Sequence, residues 1–124
     1  MRTVIVGALL TSFALPGQSS AAVLGAGPSY GSPNQQVVQC LLYNGGPDNV
    51  SISSVQIYSE FGPVNTQTFC GNELFAGFSC YFYAFIANNV AHACKAVMSD
   101  KTYVRGTFII YAPYNQVIHS EQLN

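Results

Sequence analysis

The side chains able to move protons are few and far apart. Two histidines, His92 and His119, accompany five carboxylates, Asp48, Glu60, Glu73, Asp100 and Glu121. Acid–base or nucleophilic catalysis needs such a group within hydrogen-bond reach of a positioned partner. No motif such as G-x-S-x-G or H-E-x-x-H supplies that pair. His92 stands two residues before Cys94 and shares its strand parity. With no partner in view it reads as a structural or surface histidine. The carboxylates fall in or beside expected turns, where solvation is the simplest role. No catalytic residue is assigned, and the chain is read as a non-enzyme without a cofactor.

Four cysteines, Cys40, Cys70, Cys80 and Cys94, offer the next chemistry. A zinc site would need Cys70, Cys80, His92 and Cys94, but no C-x-x-C pair anchors it, so no metal is expected. The same lack removes a thioredoxin-like redox role. In an exported chain an even count reads as two disulfides, with three possible connectivities. The preferred pairing is Cys70–Cys80, closing a short loop across neighbouring strands, with Cys40–Cys94 tying early and late parts of the fold together.

Tyrosine supplies the third chemistry, an apolar ring with a polar tip that grips uncharged partners. Tyr81, Tyr83, Tyr103 and Tyr111, with Arg105, are the candidate binding residues. They share a face, together with Lys95, if the strands at 78–86, 90–98 and 103–112 are neighbours. The plainer alternative is cross-strand packing, because tyrosine favours strands anyway. Arg105 over a tyrosine ring would equally be a local cation–π contact. Asn49-Val-Ser51 matches the N-glycosylation pattern but is adequately explained as turn chemistry.

Export is argued from the N-terminus. Arg2 is followed by an uncharged stretch, Thr3 to Leu15, then Pro16-Gly17 and the small residues Ser20 and Ala22 at the −3 and −1 positions. Residues 1–22 are therefore expected to be a cleaved signal peptide; the apolar run is too short to span a bilayer, which takes about 20 residues. Cleavage removes 22 of the 124 residues and leaves 102, one domain. Among charged residues only Arg2 is lost, leaving three basic and five acidic side chains. That balance excludes nucleic acid and anionic membranes as partners, since both require a basic patch. Charged residues make up 7% of the chain, against about 25% in typical proteins. A partner would therefore be held by hydrogen bonds and aromatic contact, as a protein or a glycan. The expected location is periplasmic or extracellular.

The elements that must position these residues follow from period-two alternation. Residues 23–36 are rich in Gly, Pro and Ser and read as a loose arm. Strands are expected at Val37–Tyr43, Val50–Glu60, Thr66–Cys70, Phe78–Ile86, Val90–Met98 and Tyr103–Ala112. The apolar phase slips at Ser53-Ser54, which predicts a bulge. In the fourth strand Phe78, Cys80, Phe82, Ala84 and Ile86 share one face, and Ser79, Tyr81, Tyr83 and Phe85 the other. Residues 84–97 also fit helical spacing, but Asn88-Asn89 and the flanking patterns favour a hairpin. The expected domain covers 37–113, with a tail at 114–124. Together these features predict an all-β, antiparallel immunoglobulin-like sandwich of about six or seven strands.

The order of Cys40-Leu-Leu-Tyr-Asn44, the run Val50 to Ile57, Cys70, Leu74-Phe-Ala-Gly-Phe-Ser-Cys80, Cys94-Lys-Ala-Val97 and Val104-Arg-Gly106 resembles a loose class of short bacterial exported proteins with such sandwiches. Members commonly carry Pro before the loop glycine, where this chain has Ala76. The resemblance implies the fold and export, and it brings no active site. The expectation is a secreted or envelope module with a binding or structural role. The alternative is a small secreted enzyme or enzyme inhibitor acting through loop residues.

Overall fold

The computed structural model of the chain describes residues 21–86 and 89–124. The expected export signal thus lies outside the described residues except for its last two positions. Ten strands among the described residues form two antiparallel sheets. The first has the order β1 (Ala22–Ser29), β8 (His92–Met98), β3 (Val50–Ser59) and β4 (Gly62–Pro63), with β6 (Glu73–Leu74) also paired to β3. The second has the order β10 (Gln116–Gln122), β9 (Val104–Ala112), β2 (Val37–Asn44), β7 (Ser79–Phe85) and β5 (Gln67–Thr68). Seven of these strands are seven residues or longer, and the two sheets pack as a small all-β sandwich.

Alternation builds the core because successive side chains point to opposite faces. In the second sheet the inner rows are Ala84–Val38–Ile110 and Phe82–Cys40–Phe108, all fully buried. In the first sheet they are Leu24–Ala96–Val55 and Ala26–Cys94–Ile57. Disulfides Cys40–Cys94 and Cys70–Cys80 are both formed, and Cys40–Cys94 crosses between the sheets at the centre of the core. The expected slip also occurs: the register of β3 on β8 shifts between Ile52 and Ser54, which lets Ile52 and Ile57 both point inward.

Three expectations are corrected. The segment read as a loose arm carries β1, with Leu24 in the core. Its small residues allow close packing on β8: a Cβ on Gly27 would lie 2.7 Å from the His92 carbonyl oxygen. The tail at 114–124 is also structured, as β10 followed by the buried Leu123. The Leu123 N–H donates to the Gly106 carbonyl, while Gly25 and Asn124 exchange two backbone bonds of 2.9 Å. Both chain segments therefore close one side of the sandwich. Lastly, the described residues of 84–97 supply strands and no helix, but β7 and β8 belong to opposite sheets and form no hairpin. Each buries one face in the core between the two sheets. No helix among the described residues is long and apolar enough to cross a membrane.

Candidate functional site

Strand register places the outward side chains of the second sheet in four rows. They are Phe85–Val37–Tyr111, Tyr83–Gln39–Ile109, Tyr81–Leu41–Thr107 and Ser79–Tyr43–Arg105. Tyr81, Tyr83 and Tyr111 of the expected binding set therefore do share one face, with β2 between β7 and β9. Beyond β7, Phe69 joins them. Its N–H donates to the Tyr81 carbonyl at 2.8 Å, continuing the pairing of β5. Its ring lies 5.0 Å from that of Tyr81 and 6.3 Å from that of Tyr83. Tyr81 and Tyr83 stack at 6.2 Å, and Phe85 meets Tyr83 edge-on at 5.5 Å. Ring pairs at these separations and angles are the favoured ones.

The ends of the aromatic row are open. Phe69 is 63% and Phe85 72% exposed, and the tyrosines between them are half-buried. Past Phe69, Phe75 and Phe78 pack edge-to-face at 6.2 Å and wall a hollow of about 360 Å³ beside Cys80. Phe78 was expected inward by parity. It instead lies in the turn before β7, where its N–H donates to the Phe75 carbonyl, and its ring is exposed. On the other side of Tyr83 a second hollow of about 260 Å³ is lined by Val37, Gln39, Tyr83, Tyr111 and Asn115. The Tyr111 hydroxyl donates to Gln39 Oε1 at 2.9 Å. That bond fixes the amide so that its two N–H donors remain for other acceptors.

The remaining expected residues lie elsewhere. Tyr103 sits at the end of the sandwich, its ring against Gly46 in the loop after β2. Arg105 occupies the corner of the face opposite Tyr43, and its guanidinium donates to the carbonyls of Thr102 and Val104. Lys95 belongs to β8 and hence to the outer face of the first sheet, 5.8 Å over the Tyr58 ring. The three expected strands are not neighbours. Parity alone says which face a side chain takes within its strand, and it says nothing about which sheet the strand joins.

The sequence places Phe85 on the face of Tyr81 and Tyr83, but it does not reveal Phe69, Phe75, Leu41, Tyr43 and Gln39 as members of this surface. The usable signal was that β2 and β7 carry large apolar or aromatic residues on both parities. It also missed a polar cluster at the closing edge. Glu121 Oε2 accepts from the Ser29 hydroxyl at 2.6 Å and meets His119 Nε2 at 2.6 Å, while Oε1 accepts from the Gly27 N–H at 3.2 Å. Those bonds, the Ser29 hydroxyl first and His119 next, hold the Glu121 carboxyl below its usual range. Serine, histidine and carboxylate meet here, but the carboxylate stands between the other two. The imidazole is thus not placed to take the hydroxyl proton, as a catalytic triad requires. What the cluster does is tie β10 to β1.

His92 is 1% exposed and faces the core. Burial pushes its pKa below the usual histidine range, against the opposing pull of the Val90 carbonyl and the Glu60 charge. The neutral ring places its Nδ1–H on the Val90 carbonyl at 2.9 Å, and Nε2 meets no partner among the described residues. Asn49 Oδ1 accepts from the Ala76 N–H at 3.0 Å, which accounts for that residue as a loop brace. All four cysteine sulfurs are in disulfides, so none remains as a thiolate for metal or redox chemistry. Comparison with protein-family models, with curated proteins and with solved structures finds no match to the chain.

Proposed function

We propose that the chain is an exported, non-enzymatic module that binds or assembles with an uncharged partner through the outer face of its second sheet. The observation that carries this reading is the continuous array Phe69–Tyr81–Tyr83–Phe85, beside outward rows of β7, β2 and β9 in which the one charged side chain among the described residues is Arg105 at a corner. Aromatic side chains lose little rotamer freedom on binding and carry large contact area, so they dominate interface energetics. An uncharged face also avoids the desolvation penalty of ions. The opposite outer face presents Ser54, Gln56, Tyr58 and Lys95 and has no comparable array. Two disulfides and the expected signal peptide support action in the periplasm or outside the cell.

Fractionation of the producing cells tests the reading. The exported protein is expected to stay with the cell surface or envelope through a high-salt wash, because no ion pair holds it. The double variant Tyr81→Ser/Tyr83→Ser is expected to wash free, and Lys95→Ala is expected to behave as wild type. Retention that is unchanged in the tyrosine variant, or that is abolished by salt alone, refutes it.

A further inference from the structure

We infer that the partner on this face is a second copy of the chain, docked sheet to sheet about a two-fold axis; the inference rests on the reading of that face as the working surface. Area is the first argument. Phe69, Phe75, Phe78 and Phe85 are 63%, 51%, 63% and 72% exposed. With an aromatic side chain carrying on the order of 200 Å², these four alone present roughly 500 Å². Leu41, Tyr43 and the half-buried Tyr81 and Tyr83 adjoin them and bring the patch to about 800 Å². That is the share one partner contributes to a standard stable interface. A monomer seldom leaves more than a few hundred Å² of contiguous apolar surface in water.

The scarcity of charge disfavours a charged partner and suits a second copy. The whole chain has nine charged side chains, and this surface holds two of them at its rim, Arg105 at one corner and Glu73 beside the Phe75–Phe78 hollow. A partner bearing a charged surface would lose hydration here and gain little counter-charge. A second copy brings the same uncharged rings, and a two-fold contact needs only a patch complementary to itself. Eight of the twelve side chains in the outer rows of β7, β2 and β9 are aliphatic or aromatic. Two such faces pack about 10 Å apart in the same way as the sheets within one domain. A small net charge on each copy opposes their approach only weakly.

Light scattering on the disulfide-bonded protein without residues 1–22, from about 1 to about 100 μM, tests this over the range where a micromolar dimer dissociates. The expected result is twice the chain mass at the upper end. Phe69→Ser/Phe85→Ser is expected to raise the dissociation constant about 100-fold or more. Both rings are exposed, so circular dichroism of that variant is expected to match wild type. Phe85→Arg alone places a charge on each copy and is expected to give a monomer by an independent route. Phe61→Ser, 80% exposed in the β3–β4 turn of the other sheet, is expected to leave the dimer unchanged. A wild-type monomer across the whole range overturns the inference, and so does a dimer that the Phe69, Phe85 variants leave intact. If the chain is monomeric while Tyr81→Ser/Tyr83→Ser still releases it from the envelope, the face remains the working surface and its partner is a different molecule.

Discussion

Glu121 joins the two ends of the fold, β1 and β10, through one carboxylate. Its carboxylate receives the Ser29 hydroxyl and the Gly27 N–H from β1 and meets His119 on its own strand. Because these bonds hold its pKa below the usual range, they stabilise the fold at pH values above the ordinary glutamate range, near ~4.3. That contribution is lost as pH falls through this range to the folded-state value. Glu121→Gln is expected to lower stability by about 1 kcal/mol at neutral pH, since the amide accepts less strongly. The same variant is expected to lose less stability than wild type on going to about pH 3, which thermal melts at the two pH values measure. Asn44 is the second residue of this kind. Buried at the end of β2, it donates to the carbonyls of Asp48 and Leu74 and accepts from the Gly46 N–H. Asn44→Ala leaves three backbone groups without that partner and is expected to lower stability by about 2 to 3 kcal/mol in chemical denaturation. At this scale the sequence showed Tyr81, Tyr83 and Tyr111 as surface rings, because tyrosine parity is visible. It hid Glu121, whose β1 partners are more than 90 residues away in the chain, and Asn44, which joins its own turn to the distant Leu74 carbonyl.

Strands depend on what a residue lacks as much as on what it carries. Gly27 holds φ +92° and lies so close to β8 that any Cβ would collide with backbone. Gly77 also has a positive φ, +80°, but nothing stands within 4 Å of a Cβ there. Gly77→Ala is therefore expected to cost about 1 to 2 kcal/mol, the left-handed backbone penalty alone. Gly27→Ala is expected to cost more, because β1 must also move off β8. Equal losses in denaturant titrations would contradict the close packing of β1. This packing explains why β1 escaped a reading by composition: the Gly and Pro content that looks like a flexible arm is what fits a thin strand against its neighbour. The bulge at Ser53-Ser54 was visible because an apolar phase slip has few other physical causes. The separation of β7 and β8 into different sheets was not visible, since alternation fixes the buried face of a strand and leaves its neighbours open.

The whole molecule is a sandwich held together at two depths. Cys40–Cys94 spans 54 residues of chain and lies in the core, while Cys70–Cys80 spans 10 near the rim. Loop-closure entropy assigns about 4 kcal/mol to the first and about 3 to the second. Cys40→Ala/Cys94→Ala is thus expected to lower the melting temperature more than Cys70→Ala/Cys80→Ala, with the emptied core volume widening the gap. Around this frame the two outer faces differ in kind: one mixes Ser, Gln, Tyr and Lys, and the other is a nearly uncharged aromatic layer. A sheet with large apolar and aromatic side chains on both sides is the pattern of a strand layer covered on both sides, and the proposed function requires the aromatic face to be covered when the protein works. Hydroxyl-radical footprinting of the disulfide-bonded protein in the cells that produce it, against the same protein unfolded, reads that cover residue by residue. Phe69 and Phe85 are predicted to be strongly protected, while Phe61, 80% exposed in the β3–β4 turn of the other sheet, is modified freely. Labelling of Phe69 and Phe85 as heavy as that of Phe61 would contradict it.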